Sequence, residues 1–320
     1  MIGPFRDSIC ILKTMRCVCV INNFNYGAFL AECLDSVRAQ SRSFDLVLFV
    51  DDGSTDGSLE IARAYAAGWP QLQVISKPNG GQLSCFNAAV PFVRPDDLVS
   101  MLDSDDIYPP DYLDSLLEEV AKTRADFYFC EPVEFETARC PLGTAKVSVS
   151  AENFTWETSS FSTRLWGLWV GSVTSCVSLT GKLYLELLPY PFEKEWRTRA
   201  DDVLIWGAGL NGASKHHLLN LRIGYRIHPH NAFARKVFSE AYEIRRAIQV
   251  DRLFNHYCER FMISRRPADL EKWARREVAG VPESLHRRYH LPRRRSMFWK
   301  VRGGLRNLNK KFRRLLGIEK

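Results

Sequence analysis

The chain has 320 residues, 46% hydrophobic and 25% charged, a composition that excludes global disorder and supplies one large domain or a domain with additions. Its net charge of +7 is unevenly spread. Twelve Arg or Lys lie between Arg287 and Arg314, no acidic residue occurs from Leu285 to Ile318, and Lys320 and Glu319 cancel. The tail therefore carries +12 and the body −5, the difference from +7. A nearly neutral body with a basic tail argues against nucleic-acid binding across the whole molecule.

The first half alternates strand-like and helix-like segments. Cys17–Ile21 is an apolar run ending at Asn22-Asn23-Phe24-Asn25-Tyr26-Gly27, followed by a helical pattern through Phe29, Leu30, Cys33, Leu34 and Val37. Leu46–Val50 predicts a second strand, closed by Asp51-Asp52-Gly53, with Asp56 as N-cap of the next helix. Leu72–Ile75 and Leu98–Leu102 predict the third and fourth strands, with a helix over Gly81–Val90 between them. Four β-then-α units in series predict a parallel sheet covered by helices. Beyond Asp126 the pattern loosens: a strand over Val173–Leu179, helices over Lys182–Leu188 and Asp201–Leu210, an extended segment over Leu218–Ile227, and helices over Ser239–Met262 and Ala268–Val278.

Nine cysteines without a C-x-x-C pair predict buried, reduced thiols. Met1–Met15 lacks the apolar core of a secretory signal. The uncharged stretch Leu165–Gly181 is too broken by Gly, Ser and Thr to span a bilayer, which takes about 20 apolar residues.

Three polar clusters follow predicted strands at their C-terminal ends, the edge where open α/β sheets bind ligands. In Asp103-Ser104-Asp105-Asp106, carboxylates at alternate positions can hold a hard cation, although an acidic turn ahead of Pro109-Pro110 has the same composition. Asp51 and Asp52 can bind the base N–H or ribose hydroxyls of a nucleotide; Gly53 and Asp56 are explained equally well by a strand-to-helix turn. Lys77-Pro78-Asn79-Gly80-Gly81-Gln82 offers amides and one positive charge near a helix start, suited to a diphosphate.

Taken in order, Val20–Gly27, Val50–Gly57, Asn79-Gly80-Gly81-Gln82 with Asn87, and Leu102–Asp106 resemble the family 2 inverting glycosyltransferases of the GT-A fold over roughly residues 16 to 125. One departure is Asn22, where the family commonly ends the first strand in Pro. The resemblance implies an α/β fold with a mostly parallel central sheet flanked by helices. A catalytic domain over residues 1–236 would have a nucleotide-binding half to about 125 and an acceptor half after it. A helical extension with a basic tail would occupy 237–320.

The resemblance also implies donor contacts from Asn22, Asn23, Tyr26, Asp51, Asp52, Lys77, Gly81, Gln82 and Asp103. Manganese or magnesium would be held by Asp105 with Asp103, and Asp106 would lie close by. Arg199-Ala200-Asp201-Asp202 looks like the acidic pair that opens a helix in this family, with Asp202 as general base and Asp201 as the fallback. A helix start favouring acids through its dipole is the alternative. Tyr225-Arg226-Ile227-His228-Pro229-His230-Asn231 resembles a Y-R-x-H-x-x-N segment, placing Arg226 near the diphosphate and His228 near the metal. Trp166, Trp169, Trp196 and Trp206 can stack on sugars or fill the core.

Phe298, Val301, Leu305, Leu308, Phe312 and Leu315, set among basic residues, predict a basic amphipathic helix suited to an anionic bilayer or to a protein partner. The expected activity is metal-dependent transfer of a sugar from a nucleotide-diphosphate donor, with uridine favoured by the resemblance. The acceptor would be a saccharide or lipid-linked saccharide of a cell-envelope or extracellular polysaccharide, met at the cytoplasmic face of a membrane. A sugar-1-phosphate nucleotidyltransferase would want a Gly-rich, Arg-bearing loop where Asn22–Tyr26 stands. A non-catalytic binding module on the same fold would have no need of all the carboxylates.

Overall fold

The computed structural model describes residues 15–136, 140–148, 152–231 and 236–291. Residues up to Glu277 form one compact unit and those from Val278 a second. The first unit is built on one eight-stranded sheet. Its strands are β1 (Cys17–Asn23), β2 (Leu46–Asp51), β3 (Leu72–Ser76), β4 (Leu98–Asp103), β5 (Phe127–Phe135), β6 (Phe154–Trp156), β7 (Val177–Thr180) and β8 (Lys215–Arg226), in the order β3-β2-β1-β4-β7-β5-β8-β6.

The β3-β2-β1-β4 half is parallel throughout, as the serial units predict. Residues Cys17 to Ile21 are wholly inaccessible, as expected of a strand covered on both faces. Helices α1 (Gly27–Arg38), α2 (Ser58–Ala66), α3 (Gln82–Ala89) and α4 (Tyr112–Thr123) connect and cover these strands. The register sets Asn22 beside Asp103 and Asn23 beside Asp51. Succession from β1 runs one way through β2 and β3, whereas β4 lies on the other side, so the crevice falls at the C-terminal ends of β1 and β4.

The second half turns mixed: β7 is antiparallel to both β4 and β5, β5 and β8 are parallel, and β6 closes the edge antiparallel to β8. Helices α5 (Ser160–Trp166), α6 (Gly181–Leu187), α7 (Asp201–Asn211), α8 (Glu240–Arg260) and α9 (Leu270–Ala279) accompany it. The strand expected over Val173–Leu179 is shorter. Thr174–Cys176 forms a single 3₁₀ turn and only Val177–Thr180 pairs, because the Ser175 hydroxyl is drawn to the acidic loop after β4.

Asp56 is not the N-cap itself. Gly57 takes that position in a left-handed conformation, while Asp56 accepts from the Ser58 N–H (3.1 Å) and from the Gly27 N–H (2.7 Å), tying the loops after β1 and β2 together.

The eight described cysteines are free, and all but Cys140 are buried. Burial pushes the Cys17 thiol up to about 12, so these groups act as small core hydrophobes. Among the described residues no helix is long and apolar enough to cross a membrane. The second unit, described as far as Leu291, contains the short helix α10 (Glu283–His286). The predicted amphipathic helix over 298–315 lies outside the described residues.

The entries of β1 and β4 are joined by Asp97, a buried carboxylate that accepts from Arg16 Nε (2.8 Å) and Nη2 (2.6 Å) and from the Arg94 N–H (2.6 Å). Asp97→Ala strands the guanidinium and the amide, and should cost about 3 kcal/mol in chemical denaturation.

Candidate active site

A cavity of about 490 Å³ opens at the C-terminal edge of the sheet. One wall carries Asn22, Asn23, Tyr26, Asp103 and Asp105; the other carries Trp169, Arg199, Asp201 and Asp202. The two carboxylate groups predicted from separate halves of the sequence therefore face one space.

The acidic wall is held by hydrogen bonds from behind. Asn23 donates to Asp51 Oδ1 (3.0 Å) and to the Ser54 hydroxyl (3.0 Å), and accepts from the Ser104 hydroxyl (2.7 Å), linking the loops after β1, β2 and β4. Asp106 accepts from the Ser175 hydroxyl (2.6 Å) and the Arg226 N–H (2.8 Å), one bond on each oxygen. Asp105 takes His228 Nε2 (2.9 Å) and Asn231 Nδ2 (3.2 Å), both on Oδ2. Its Oδ1 carries no bond among the described residues. Asn22 Oδ1, on the same wall, is buried without a partner, an orphan that a bound ligand would satisfy.

Asp103, Asp105 and Asp106 each offer an oxygen within 4.8 Å of the others. Burial first, and Asp105 second, push the Asp103 carboxyl up to about 7; Asp106 is raised well above its ordinary range for the same reasons. Crowded carboxylates in low dielectric resist ionising together, and a divalent cation reverses that. The donor set, three hard oxygen ligands with an unbonded Oδ1 on Asp105, fits magnesium or manganese.

Several expected contacts are taken up by hydrogen bonds within the protein. Asp52 is consumed by Lys77 Nζ (2.5 Å), by the Gly80 and Gly81 N–H groups (2.8 and 2.7 Å) and by Asn79 Nδ2 (3.0 Å). The Lys77–Gln82 loop thus spends its ammonium and amides on the protein itself. The first amides of α3 also face protein: Gln82 N–H meets the Arg197 carbonyl (2.9 Å) and Leu83 N–H the Trp196 carbonyl (3.2 Å). Gly81, at φ +94, is the residue against which the Arg197 backbone packs.

Arg226 likewise turns away from the cavity, bonding Glu32 and the Asp105 carbonyl (2.9 Å) between the rings of Phe29 and Phe135. His228 Nε2 lies 2.9 Å from Asp105 Oδ2, beside the carboxylates expected to hold the metal. Its Nδ1 accepts from the His230 N–H (3.2 Å), which leaves the proton on Nε2 to be donated to the carboxylate. Asp51, Lys77, Asp106, Arg226 and His228 are not part of the cavity lining.

On the opposite wall the two acids of α7 differ. Asp202 Oδ1 accepts from the Trp169 indole (2.6 Å), and Oδ2 meets Arg199 Nε (3.0 Å) and Arg246. Asp201 makes no side-chain hydrogen bond among the described residues. Burial first, then Asp202 and Asp103, push its carboxyl up to about 8.

Gln82 joins the walls. Its amide nitrogen donates to Asp103 Oδ1 (2.9 Å) and Thr174 Oγ1 (3.0 Å), while its oxygen accepts from the Ala200 N–H (2.9 Å), immediately before the acidic pair.

Residues 18–170 match the family described as Glycosyl transferase family 2. The chain carries a family 2 glycosyltransferase domain. A chondroitin synthase of Pasteurella multocida (strain Pm70) is 36% identical to it over 101 residues, 32% of this chain and 10% of that protein. An uncharacterized glycosyltransferase of Nostoc is 33% identical over 105 residues, 32% of each chain. The chain thus spans about a tenth to a third of the length of these curated relatives.

Among solved structures, Staphylococcus aureus TarS residues 1–349 in complex with UDP-GlcNAc superposes with a TM-score of 0.54 at 17% identity, covering 86% of this chain and 78% of that one. The mannosyltransferase PcManGT of Pyrobaculum calidifontis, in complex with GDP-Man and Mn2+, gives 0.50 at 15%, covering 98% and 90%. These likenesses establish the GT-A fold for the family 2 domain and for the strands that follow it.

The raised carboxyls of Asp103 and Asp201 have a measurable consequence. Their folded values lie above the unfolded value of about 3.9, so the stability they contribute is full below that value and lost as pH rises through about 7 to 8. Metal-free protein should melt at a lower temperature at about pH 9 than at about pH 6, and Asp103→Asn with Asp201→Asn should flatten the slope.

Proposed function

We propose that this chain is an inverting, metal-dependent glycosyltransferase that moves a sugar from a nucleotide-diphosphate donor to a saccharide or lipid-linked acceptor. The observation that carries the reading is the single cavity with Asp103 and Asp105 on one wall and the Asp201–Asp202 pair on the other. The solved neighbours bind UDP-GlcNAc and GDP-Man, and relatives include synthases of polysaccharides.

The donor enters between Asn22, Tyr26, Gly81, Gln82 and Asp103, with Asp51, Asp52, Asn23, Lys77 and Arg226 shaping the loops that receive it. Asp105 and Asp103 hold manganese or magnesium, with Asp106 and His228 fixing their positions; the cation supplies charge neutralisation for the departing diphosphate. Trp169 gives the sugar or acceptor an apolar face beside Asp202.

Of the two acids, Asp201 is the one whose charged form is disfavoured, by burial first and then by Asp202 and Asp103. Asp202 faces two guanidiniums and one indole N–H. An ionised carboxylate has about four acceptor positions, so one remains for the acceptor hydroxyl. Asp202 takes that proton as the oxygen attacks the anomeric carbon opposite the diphosphate, and the configuration inverts.

Nucleotide release against a panel of nucleotide sugars, with and without manganese, tests this assignment. Asp105→Ala should abolish metal-dependent donor binding. Asp202→Asn should keep donor binding and lose turnover by about 10²- to 10⁴-fold; full turnover in that variant would reject Asp202 as the base.

The basic tail holds the protein against an anionic membrane surface on the cytoplasmic face, where lipid-linked acceptors are presented. A chain shortened after Pro282 should lose co-sedimentation with phosphatidylglycerol vesicles, whereas unchanged binding would reject the tail as the anchor.

A further inference from the structure

Arg246 stands well apart in sequence from every residue of the family match, on the second turn of α8. From Ser239 to Arg252 it is the single buried residue: its neighbours are exposed or half-buried, and it is 6% exposed. The hydrophobic anchoring of α8 comes later, from Leu253, Phe254, Tyr257 and Cys258. The first turns of the helix therefore deliver one side chain inward, and that side chain is a cation.

The guanidinium lies 3.8 Å above the ring of Trp196 and bonds Asp202 Oδ2 through Nη2. Its Nε is buried without a partner. Burial disfavours its charged form, and Asp202 opposes that effect. Such an arrangement is a poor way to gain stability, because buried ion pairs are often replaced by apolar groups at no loss. The cost is understandable where a carboxylate must be held in one orientation. Stacking on Trp196 fixes the plane of the fork, and the fork fixes Oδ2, leaving Oδ1 to Trp169.

We propose that Arg246 is a positioning residue for the reaction: it locks Asp202 in the orientation that accepts the proton, so that α8 forms part of the catalytic apparatus. The proposal rests on the reading of Asp202 as base. The charged groups facing Asp202 are Arg199 from the preceding loop, Arg246 from α8 and Asp201 beside it; Tyr242 faces Arg246 from its own helix.

The test uses the full chain and nucleotide release from UDP-N-acetylglucosamine or GDP-mannose with manganese, whichever turns over faster. Arg246→Ala should lower kcat about 10- to 100-fold, in line with a misplaced catalytic group, with donor KM within about twofold. Dissolved guanidinium should restore part of the lost rate. On an Asp202→Asn background, Arg246→Ala should cost nothing further.

Arg246→Lys, which keeps the charge and guards against a folding defect, should give an intermediate kcat with an unchanged melting temperature. A rise in KM without a fall in kcat, an equal loss on the Asp202→Asn background, or no rescue by guanidinium would each overturn the role. A wild-type chain inert towards the whole panel of nucleotide sugars overturns the transferase reading itself and this proposal with it. Loss confined to the arginine variants overturns neither.

Discussion

The organising constraint is the crowding of carboxylates at one edge of a buried sheet. Asp51, Asp52, Asp103, Asp105, Asp106, Asp201 and Asp202 stand at or behind one cavity, where low dielectric makes each uncompensated charge expensive. The fold answers with assigned partners. Asp52 has a lysine and two amides, Asp106 a hydroxyl and an amide, and Asp202 two guanidiniums and an indole. Asp103, the unbonded oxygen of Asp105, and Asp201 receive less. Those three face the cavity, so the electrostatic deficit is concentrated where ligands enter.

This division explains why residues of the same type differ in role. Both carboxylate oxygens of Asp52 and of Asp106 have hydrogen-bond partners within the chain. Asp103 and Asp105 are incompletely satisfied and therefore able to bind. Gln82 couples the two sets because one side-chain amide touches Asp103, Thr174 and the amide of Ala200. Displacing α3 would move both walls together, which makes Gln82 a mechanical link between them.

Much of this was legible in the linear chain. The four βα units, the buried β1 and the acidic loops at strand ends follow from periodicity and turn chemistry, and the register places Asn22 and Asp103 side by side as that pattern requires. The matched motifs pointed to His228 and Arg226, but not to their task of holding Asp105 and its loop from behind. The 3₁₀ turn at Thr174–Cys176 is not legible in the sequence because the β-branched and alternating residues of Val173–Leu179 suit a strand, while the competing demand comes from Asp106, far away in sequence.

The sequence by itself determined which residues can carry charge, metal and proton chemistry, because these properties belong to residue types at strand ends and helix starts. Tertiary structure alone decided which carboxylates remain unsatisfied. That choice depends on partners such as Ser175, Asn231 and Arg246, brought in from distant segments by packing. Arg246 left no local signal: an arginine on an otherwise exposed helical turn reads as solvated until α8 is laid against Trp196 and Asp202. Hydrogen-bond satisfaction is a three-dimensional quantity, and it separates the acids that hold the site from those that use it.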